Sequence, residues 1–390
     1  MKKNTKSFGK NSAALILVLA ILAGFLSGSV GSIFIKNYFE KNYYDVPFFG
    51  EIDLAQNDIE RKLVITNPKK VVVNQNESVD GTINLAVSSI VGIFEKKKTI
   101  EPSEKKIDLN YYYNLNNYIG QGLAITSDGW IITCFTPEGV KSGLTDSIGL
   151  SNYVIITKNK EIFEIDSFVK DVLTGFSFLH AKTNSLTVKE FVDASSLRIG
   201  ELLVAVDWQN RGWLTNYVGR QSNTSLVRYS EDLSDKLVLA EKVPADFKCS
   251  FVFDLSGNVA GLVDENGEVA PLNYLRGAIN SILEYTDIKR PVMGINYINI
   301  ENLVSIGQVD SDMPKQGAVI FKALNGVAVI KGSPADKAGL KEGDIILSID
   351  DTKIDKDNDL VDILQNYLEG DVVDVNFWRE GETDNAKVEF

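Results

Sequence analysis

The chain has 390 residues, of which 44% are hydrophobic and 24% are charged. This balance excludes a chain that is disordered throughout, and the length predicts two or three domains. The net charge is −13 although four lysines lie among the first ten residues, so the remainder is strongly acidic and argues against binding of nucleic acid or anionic membrane surfaces by the folded part.

The first predicted element is an uncharged segment near the amino terminus. Residues 12–35 are long enough, as a helix, to cross about 30 Å of hydrocarbon. We predict a single transmembrane helix, with residues 1–11 in the cytoplasm and the folded domains outside, because lysines precede the span. A cleavable signal peptide is the alternative, but the segment is longer than usual and lacks a clear A-x-A cleavage site. Residues 36–80 are predicted to form a stalk, with 63–73 as an alternative short strand.

Short runs with β-type composition follow from residue 81, separated by turn signals such as Ser127-Asp128-Gly129. Many short strands at close spacing predict a mainly β fold, a barrel or a sandwich, over residues 81–270. A tyrosine cluster between the first two strands either binds partners or lies against the barrel; it comprises Tyr111, Tyr112, Tyr113 and Tyr118. The predicted strands are 85–94, 122–133, 153–157, 162–169, 176–181, 202–206, 237–239, 251–253 and 259–263.

An amphipathic helix and a second domain complete the chain. Apolar residues recur at three- and four-residue intervals over 272–285, within a connecting segment 271–289. Further on, Ser333-Pro334 begins a helix and Gly339 ends it, before a turn and a strand. This run, GSPADKAGLKEGDIILSIDD, resembles the PDZ domain attached to bacterial HtrA/Deg proteases. A second helix at 359–368 and a strand at 372–378 follow in the expected order, so we predict a PDZ domain (α+β) over 290–390.

The resemblance implies a peptide site in the PDZ domain. In such domains a peptide's terminal carboxylate binds backbone amides of a short loop, and the peptide adds as a strand to a sheet edge. The matching loop is Val292-Met293-Gly294-Ile295, in which the glycine permits close backbone approach, the apolar neighbours line a pocket and the methionine suits broad specificity. We expect peptide or protein C-termini as partners; the alternative is a degraded groove kept as an assembly surface.

Three segments upstream resemble the catalytic motifs of the HtrA family, whose fold is a trypsin-like double β-barrel. Residues 120–133 match the strand pair before the catalytic histidine, 171–180 match the segment of the aspartate, and 237–257 match the nucleophile segment. Each motif keeps its framework and lacks the residue that does the chemistry. The substituted positions are Thr136 for the histidine, Gly175 for the aspartate, Lys248 for the serine and Asp246 for a glycine of the oxyanion hole.

The resemblance therefore implies a pseudoprotease with no catalytic residues. The one histidine of the chain, His180, falls at the end of a predicted strand where the family has a lysine. An active endopeptidase with relocated residues is the alternative, with Cys249 or Ser250 as nucleophile and Lys248 as base. Adjacent residues usually point to different sides of a strand, which disfavours that arrangement.

The two cysteines lie in different motifs, Cys134 in the histidine motif and Cys249 in the serine motif. In the resembled fold these motifs meet at the cleft between the barrels, so we hypothesise a disulfide that closes the cleft, with two free buried thiols as the alternative. We expect no metal and no cofactor. By analogy with HtrA relatives, we expect homo- or hetero-trimers with HtrA-like subunits. The predicted function is a membrane-anchored adaptor, chaperone or regulator of protein quality control that binds peptide segments of envelope proteins.

Overall fold

The computed structural model describes residues 75–98, 109–139, 147–222, 225–306 and 313–390. The predicted transmembrane helix at 12–35, nearly all of the predicted stalk and the alternative strand at 63–73 lie outside these residues. Within the described ranges, no helix is long and apolar enough to cross a membrane.

Residues 90–181 form a closed barrel of antiparallel strands. The strands follow one another around it as first, second, third, sixth, fifth and fourth in chain order. Its interior is apolar, with Ile131 and Leu179 both fully buried from neighbouring strands. The elements are β1 (Ile90–Glu95), β2 (Gly120–Ala124), β3 (Trp130–Thr133), α2 (Ser147–Leu150), β4 (Tyr153–Ile156), β5 (Ile162–Lys170) and β6 (Ser177–Ala181), with α2 between β3 and β4.

A second closed barrel follows over residues 202–271. Its strands are β7 (Leu202–Val206), β8 (Gly212–Gln221), β10 (Lys236–Leu239), β11 (Phe251–Asp254), β12 (Val259–Val263) and β13 (Val269–Pro271). They pair antiparallel in the order β10-β13-β12-β11-β7-β8. The largest apolar core lies where the two barrels meet, because Phe178 of the first and Phe251 of the second belong to one buried cluster. The predicted mainly β fold with two barrels is confirmed.

The folded part begins earlier than the sequence predicted. A helix, α1 (Gln75–Val87), starts inside the predicted stalk and ends inside the predicted first strand, so the predicted boundary at residue 81 falls within it. The helix packs on the second barrel: the Thr82 hydroxyl donates a hydrogen bond of 3.0 Å to the Leu255 carbonyl. Its apolar residues lie three or four positions apart, which is helical spacing that the β-type reading of 85–94 overlooked. The apolar residues are Val79, Ile83, Ala86 and Val87.

The predicted connecting helix is confirmed as α3 (Asn273–Tyr285), which buries one face. The last domain then forms around an antiparallel sheet and two short helices. The Ser333 hydroxyl accepts a hydrogen bond of 3.3 Å from the Asp336 amide, so the predicted helix start is confirmed. The elements are β14 (Asn296–Asn299), β15 (Ala318–Ile320), α4 (Pro334–Lys337), β16 (Ile345–Ile349), β17 (Thr352–Lys353), α5 (Leu360–Leu364), β18 (Val372–Arg379) and β19 (Glu382–Glu389).

One strand of this sheet comes from the barrel part of the chain. The order is β19-β18-β16-β15-β14, and beyond β14 lies β9 (Arg228–Tyr229), from the connection between β8 and β10. The sequence predicted neither β9 nor the longer β8 and β19, because their residues are mixed in polarity and their apolar positions do not alternate cleanly. The sheet of the last domain therefore includes a strand from the part of the chain that forms the second barrel.

Candidate functional site

The loop before β14 leads into the strand that pairs with β9, and Arg228 of β9 bonds to Asp359 at the start of α5. We call the space between β14 and α5, which this segment occupies, the groove. Gly294 has a φ of +78°, and a Cβ there would lie 2.4 Å from the Cβ of Ser333, so glycine is required at this position. The side chains of Met293 and Ile295 are fully buried in the core of the last domain. They are buried with residues 228–231 in place, and their backbone amides bond to that segment. Their predicted role in a peptide pocket stays a prediction.

The amides of this loop bind a carboxylate. The N–H groups of Met293 and Gly294 donate hydrogen bonds of 2.6 Å and 3.1 Å to the same Oε1 atom of Glu231. The Ile295 N–H donates to the Ser230 hydroxyl at 3.0 Å, and that hydroxyl donates to the Glu231 carboxylate at 2.8 Å. The loop therefore has the carboxylate-binding chemistry that the resemblance implied, and here it is satisfied by a side chain of the same protein.

The sheet edge beside the loop is also covered. Strand β9 pairs antiparallel with β14, with Tyr229 opposite Asn296 and Arg228 opposite Tyr297. The Ser230 N–H extends the pairing with a hydrogen bond of 3.0 Å to the Ile295 carbonyl. This is the edge to which a peptide would add as a strand.

Two arginines, one on β8 and one on β9, form ion pairs with α5 and the residue that caps it. Arg228 contacts Asp359, the residue that caps α5, at 2.6 Å, and Arg220 of β8 contacts Asp362 within α5 at 2.5 Å. Both arginines also contact the buried Asp235 at 2.9 Å. Burial alone would lower the pKa of Arg220, but its hydrogen bond to Asp362 raises that pKa above its ordinary value, so the guanidinium stays charged.

The positions that resemble the catalytic histidine and aspartate lie close together around a lysine. The Lys170 ammonium donates hydrogen bonds to the Thr136 hydroxyl at 3.0 Å and to the Gly175 carbonyl at 2.5 Å. The Thr136 hydroxyl also lies 3.3 Å from the Ser177 hydroxyl. Burial lowers the pKa of Lys170. A cation thus bridges the two positions where the resembled enzymes carry an imidazole and a carboxylate.

The nucleophile segment forms a turn of 3-10 helix at residues 245–247. The Lys248 N–H donates to the Ala245 carbonyl at 3.3 Å, so this amide is already used within the turn. The side chains of Lys248 and Asp246 are both exposed. A functional oxyanion hole needs amides aimed at the developing negative charge, and the exposed Asp246 carboxylate adds charge of the wrong sign nearby.

The structure brings the two cysteines together as a disulfide. Cys134 and Cys249 have Cα atoms 5.7 Å apart and close a loop across 115 residues. The bond joins the histidine motif to the nucleophile segment. Cys249 adopts a φ of +58°, the left-handed backbone that a glycine adopts without strain. With Cys249 in the disulfide and Ser250 fully buried, the relocated nucleophiles considered from sequence are not presented to solvent.

Comparisons with known proteins found one matching domain family and several similar proteases. The family model described as "PDZ domain" matches residues 291–390. The chain is 25% identical over 364 residues to "Serine protease Do-like HtrA" of Lactococcus lactis subsp. cremoris (strain MG1363), covering 83% of this chain and 85% of that protein. It is 25% identical over 288 residues to "Probable periplasmic serine endoprotease DegP-like" of Bartonella henselae, covering 69% and 52%. The solved "HtrA-type protease AlgW with decapeptide" is 15% identical, covering 79% and 96%, with a TM-score of 0.47.

The chain has an HtrA-type serine protease fold with a C-terminal PDZ domain. The two barrels are thus the protease-like domain, and the loop at Gly294 is the carboxylate-binding loop of the PDZ domain. This designation describes the fold alone. Whether the chain hydrolyses peptides depends on the residues at the positions that resemble the catalytic motifs.

His180, the single histidine of the chain, lies on β6, away from Ser177 at the start of that strand. Its Nδ1 atom lies 2.7 Å from Asp166 Oδ1, and its ring packs edge-on against Trp130 with centroids 5.0 Å apart. The step of three residues from Ser177 to His180 corresponds to about 10 Å along a strand. Among the described residues Asp166 is its one hydrogen-bond partner, so the imidazole is not poised beside a nucleophile.

Two of the four tyrosines in the cluster lie against the barrels. Tyr113 and Tyr118 pack against the core between the barrels, and the Tyr113 hydroxyl accepts a hydrogen bond from the Lys97 amide at 3.0 Å. Tyr111 and Tyr112 are exposed.

A surface cavity of about 540 Å³ opens along β10 and β13 of the second barrel, and none of the three triad positions lines it. Among the described residues, no group of three or more His, Cys, Asp or Glu side chains could hold a metal ion.

Sequence reasoning missed Glu231, the residue that fills the carboxylate-binding loop. It lies 62 residues before Met293, in a segment without periodicity, and a single glutamate in a turn carries no pattern. Arg220 and Arg228 were missed for the same reason. The available signal was only indirect, because an open sheet edge in a PDZ domain needs something to cover it.

Proposed function

We propose that this chain is a membrane-anchored, HtrA-like pseudoprotease that binds the carboxyl termini of envelope proteins through its PDZ domain. The observation that carries the proposal is the pair of loop amides, on Met293 and Gly294, that holds a carboxylate. Two convergent backbone donors beside a sheet edge that accepts an added strand, here β9, are the recognition chemistry for a peptide terminus. The protein would act as an adaptor, chaperone or regulator in quality control.

The loss of proteolysis in this proposal rests on side-chain chemistry. Thr136 cannot act as a general base near neutral pH, Gly175 has no side chain to orient one, and Lys248 is no hydroxyl nucleophile. Lys170 bridges the first two positions, and a disulfide joins the segments on either side of the cleft. These features together support a binding role in place of a hydrolytic one.

The uncharged segment 12–35 supports the proposed location: a single pass through the cell membrane with the folded domains outside. An extracytoplasmic site also suits the disulfide, because that compartment is oxidising. Homo- or hetero-trimers with HtrA-like subunits are part of the proposal.

A peptide array tests the binding function. Peptides with free and with amidated carboxyl termini are probed with the wild-type chain and with Glu231→Ala, which removes the carboxylate already bound to the loop. We expect free termini, chiefly apolar ones, to be bound in preference to the amidated forms, because a carboxylate accepts charge-assisted hydrogen bonds from the two amides and a neutral amide oxygen accepts weaker ones. If neither protein discriminates free from amidated peptides, the proposed function is wrong.

The second candidate is an active envelope endopeptidase, favoured by the relatives whose names describe serine proteases. We expect the full-length protein to leave β-casein intact over a time in which an active serine protease digests it. The variants Lys248→Ala and Cys249→Ala serve as controls for contamination. Digestion by the wild type that either substitution abolishes would establish the endopeptidase instead.

A further inference from the structure

We infer that residues 228–231 are an internal pseudoligand that occupies the peptide site of the PDZ domain, so that an incoming carboxyl terminus binds only by displacing them. The inference rests on the proposed peptide-binding function and adds its regulation. It follows from three properties of the segment: its direction, its carboxylate and its remaining contacts.

The direction of the segment is that of a bound peptide. Because β9 runs antiparallel to β14, with Arg228 opposite Tyr297 and Tyr229 opposite Asn296, its carboxyl-terminal end points toward the loop at Gly294. A peptide that adds to this edge with its terminal carboxylate on the loop must run the same way. The internal segment and an external peptide therefore compete for the same backbone hydrogen bonds.

Glu231 supplies the carboxylate that a peptide would supply from its last residue. One Oε1 atom accepts from both the Met293 and Gly294 amides, and the short 2.6 Å contact is typical of a charge-assisted hydrogen bond. Ser230 holds the carboxylate in place, since its hydroxyl lies 2.8 Å from both carboxylate oxygens. Burial and the neighbouring Glu231 raise the pKa of Tyr229 to about 12, so this phenol stays neutral beside the carboxylate.

Contacts outside the loop hold the segment in the groove. Leu233 packs against the apolar core of the PDZ domain. Arg228, whose side chain is only 8% exposed, bonds to Asp359 at the start of α5, on the other side of the groove from β14. A peptide must therefore replace an apolar contact and an ion pair as well as the carboxylate, although the segment's covalent tether favours reclosure.

Displacement would connect the PDZ domain to the protease-like domain. The pseudoligand lies in the connection between β8 and β10, and β10 leads directly to the turn that carries Asp246 and Lys248. Binding at the PDZ groove would release this connection from β14 and α5. The groove thus has two states, closed by its own chain or opened by a peptide. The smaller the fraction of open chains, the weaker the apparent affinity for peptide.

The test compares the affinity of full-length variants for one defined probe. The probe is a fluorescein-labelled heptapeptide, SLVRYSV with a free carboxyl terminus, which copies residues 225–231 with valine in place of Glu231. We expect Glu231→Ala to bind it about 10-fold or more tightly than the wild type, measured by fluorescence anisotropy, because the open state becomes more populated. Glu231→Gln, which keeps the shape and removes the charge, is measured in parallel in case the alanine variant folds poorly, and should also bind more tightly.

Glu241→Ala is the matched control, since it removes one exposed glutamate from the same barrel. It should bind like the wild type; an equal gain in this variant would attribute the effect to net charge and overturn the inference. Equal affinity of the wild type and both Glu231 variants would also overturn it, while leaving peptide binding itself intact. If none of them binds the probe, the segment is no ligand mimic, and the peptide array separately decides whether the proposed function stands.

Discussion

At the scale of single residues, structural contacts occupy the positions that resemble the catalytic motifs. Lys170 takes the space between Thr136 and Gly175, and it satisfies a hydroxyl and a backbone carbonyl there. Cys249 keeps a left-handed backbone and uses its sulfur to bond Cys134. These positions therefore take part in hydrogen bonds and a covalent bond within the protein.

The disulfide gives a direct prediction at this scale. Alkylation of the unfolded protein without reductant should leave both cysteines unmodified, and mass spectrometry after reduction should show two labels. Replacing Cys134 and Cys249 by serine together should lower the free energy of unfolding by about 4–5 kcal/mol, since closing a loop of over 100 residues restricts the unfolded chain. Two labelled cysteines before reduction would contradict the bond.

At the scale of elements, whether a short segment forms a strand depends on the strands beside it. The two residues of β9 have no strand pattern of their own, and they pair because β14 presents an open edge and the loop at Gly294 presents two amides. Helix α1 illustrates the opposite case. Its apolar residues have helical spacing, but the strand that follows is so apolar that the β-type reading extended backward into the helix.

At the scale of the whole molecule, Arg290 links the parts. Its guanidinium contacts Asp171 at the end of β5 at 2.5 Å, Gln365 beyond α5 at 2.5 Å and the Tyr274 carbonyl of α3 at 3.0 Å. The side chains of Arg290 and Asp171 are only 8% and 2% exposed. One buried cation therefore joins the first barrel, the connecting helix and the PDZ domain.

Loss of this cation should be costly. Arg290→Met leaves the Asp171 carboxylate buried without its partner, and we expect the free energy of unfolding in urea to fall by about 3–5 kcal/mol. The matched control is Arg276→Met. Arg276 contacts both Asp193 of the barrel part and Asn366 of the PDZ domain, but its side chain is partly exposed. That change should cost about 1 kcal/mol or less. Equal losses in the two variants would show that Arg290 has no special role in joining the parts.

The sequence alone determined the class of fold and the positions that matter for chemistry. Short β-type runs predicted a barrel or a sandwich, and helical spacing predicted α3, because these signals are local. The resemblance of the motifs to the HtrA family implied the double barrel and the PDZ domain. The same local motifs identified Thr136, Gly175 and Lys248 as the positions to examine. Membrane insertion at 12–35 stays a prediction.

Only the tertiary structure decided what occupies the PDZ groove. Glu231 and the loop amides are 62 and 63 residues apart in the chain, and their contact depends on how the second barrel and the PDZ domain pack. The burial of Met293 and Ile295 likewise depends on the packing of the apolar core of the PDZ domain. Such long-range contacts between polar groups leave no period in the sequence, so the closed state of the groove became visible only once the chain was folded.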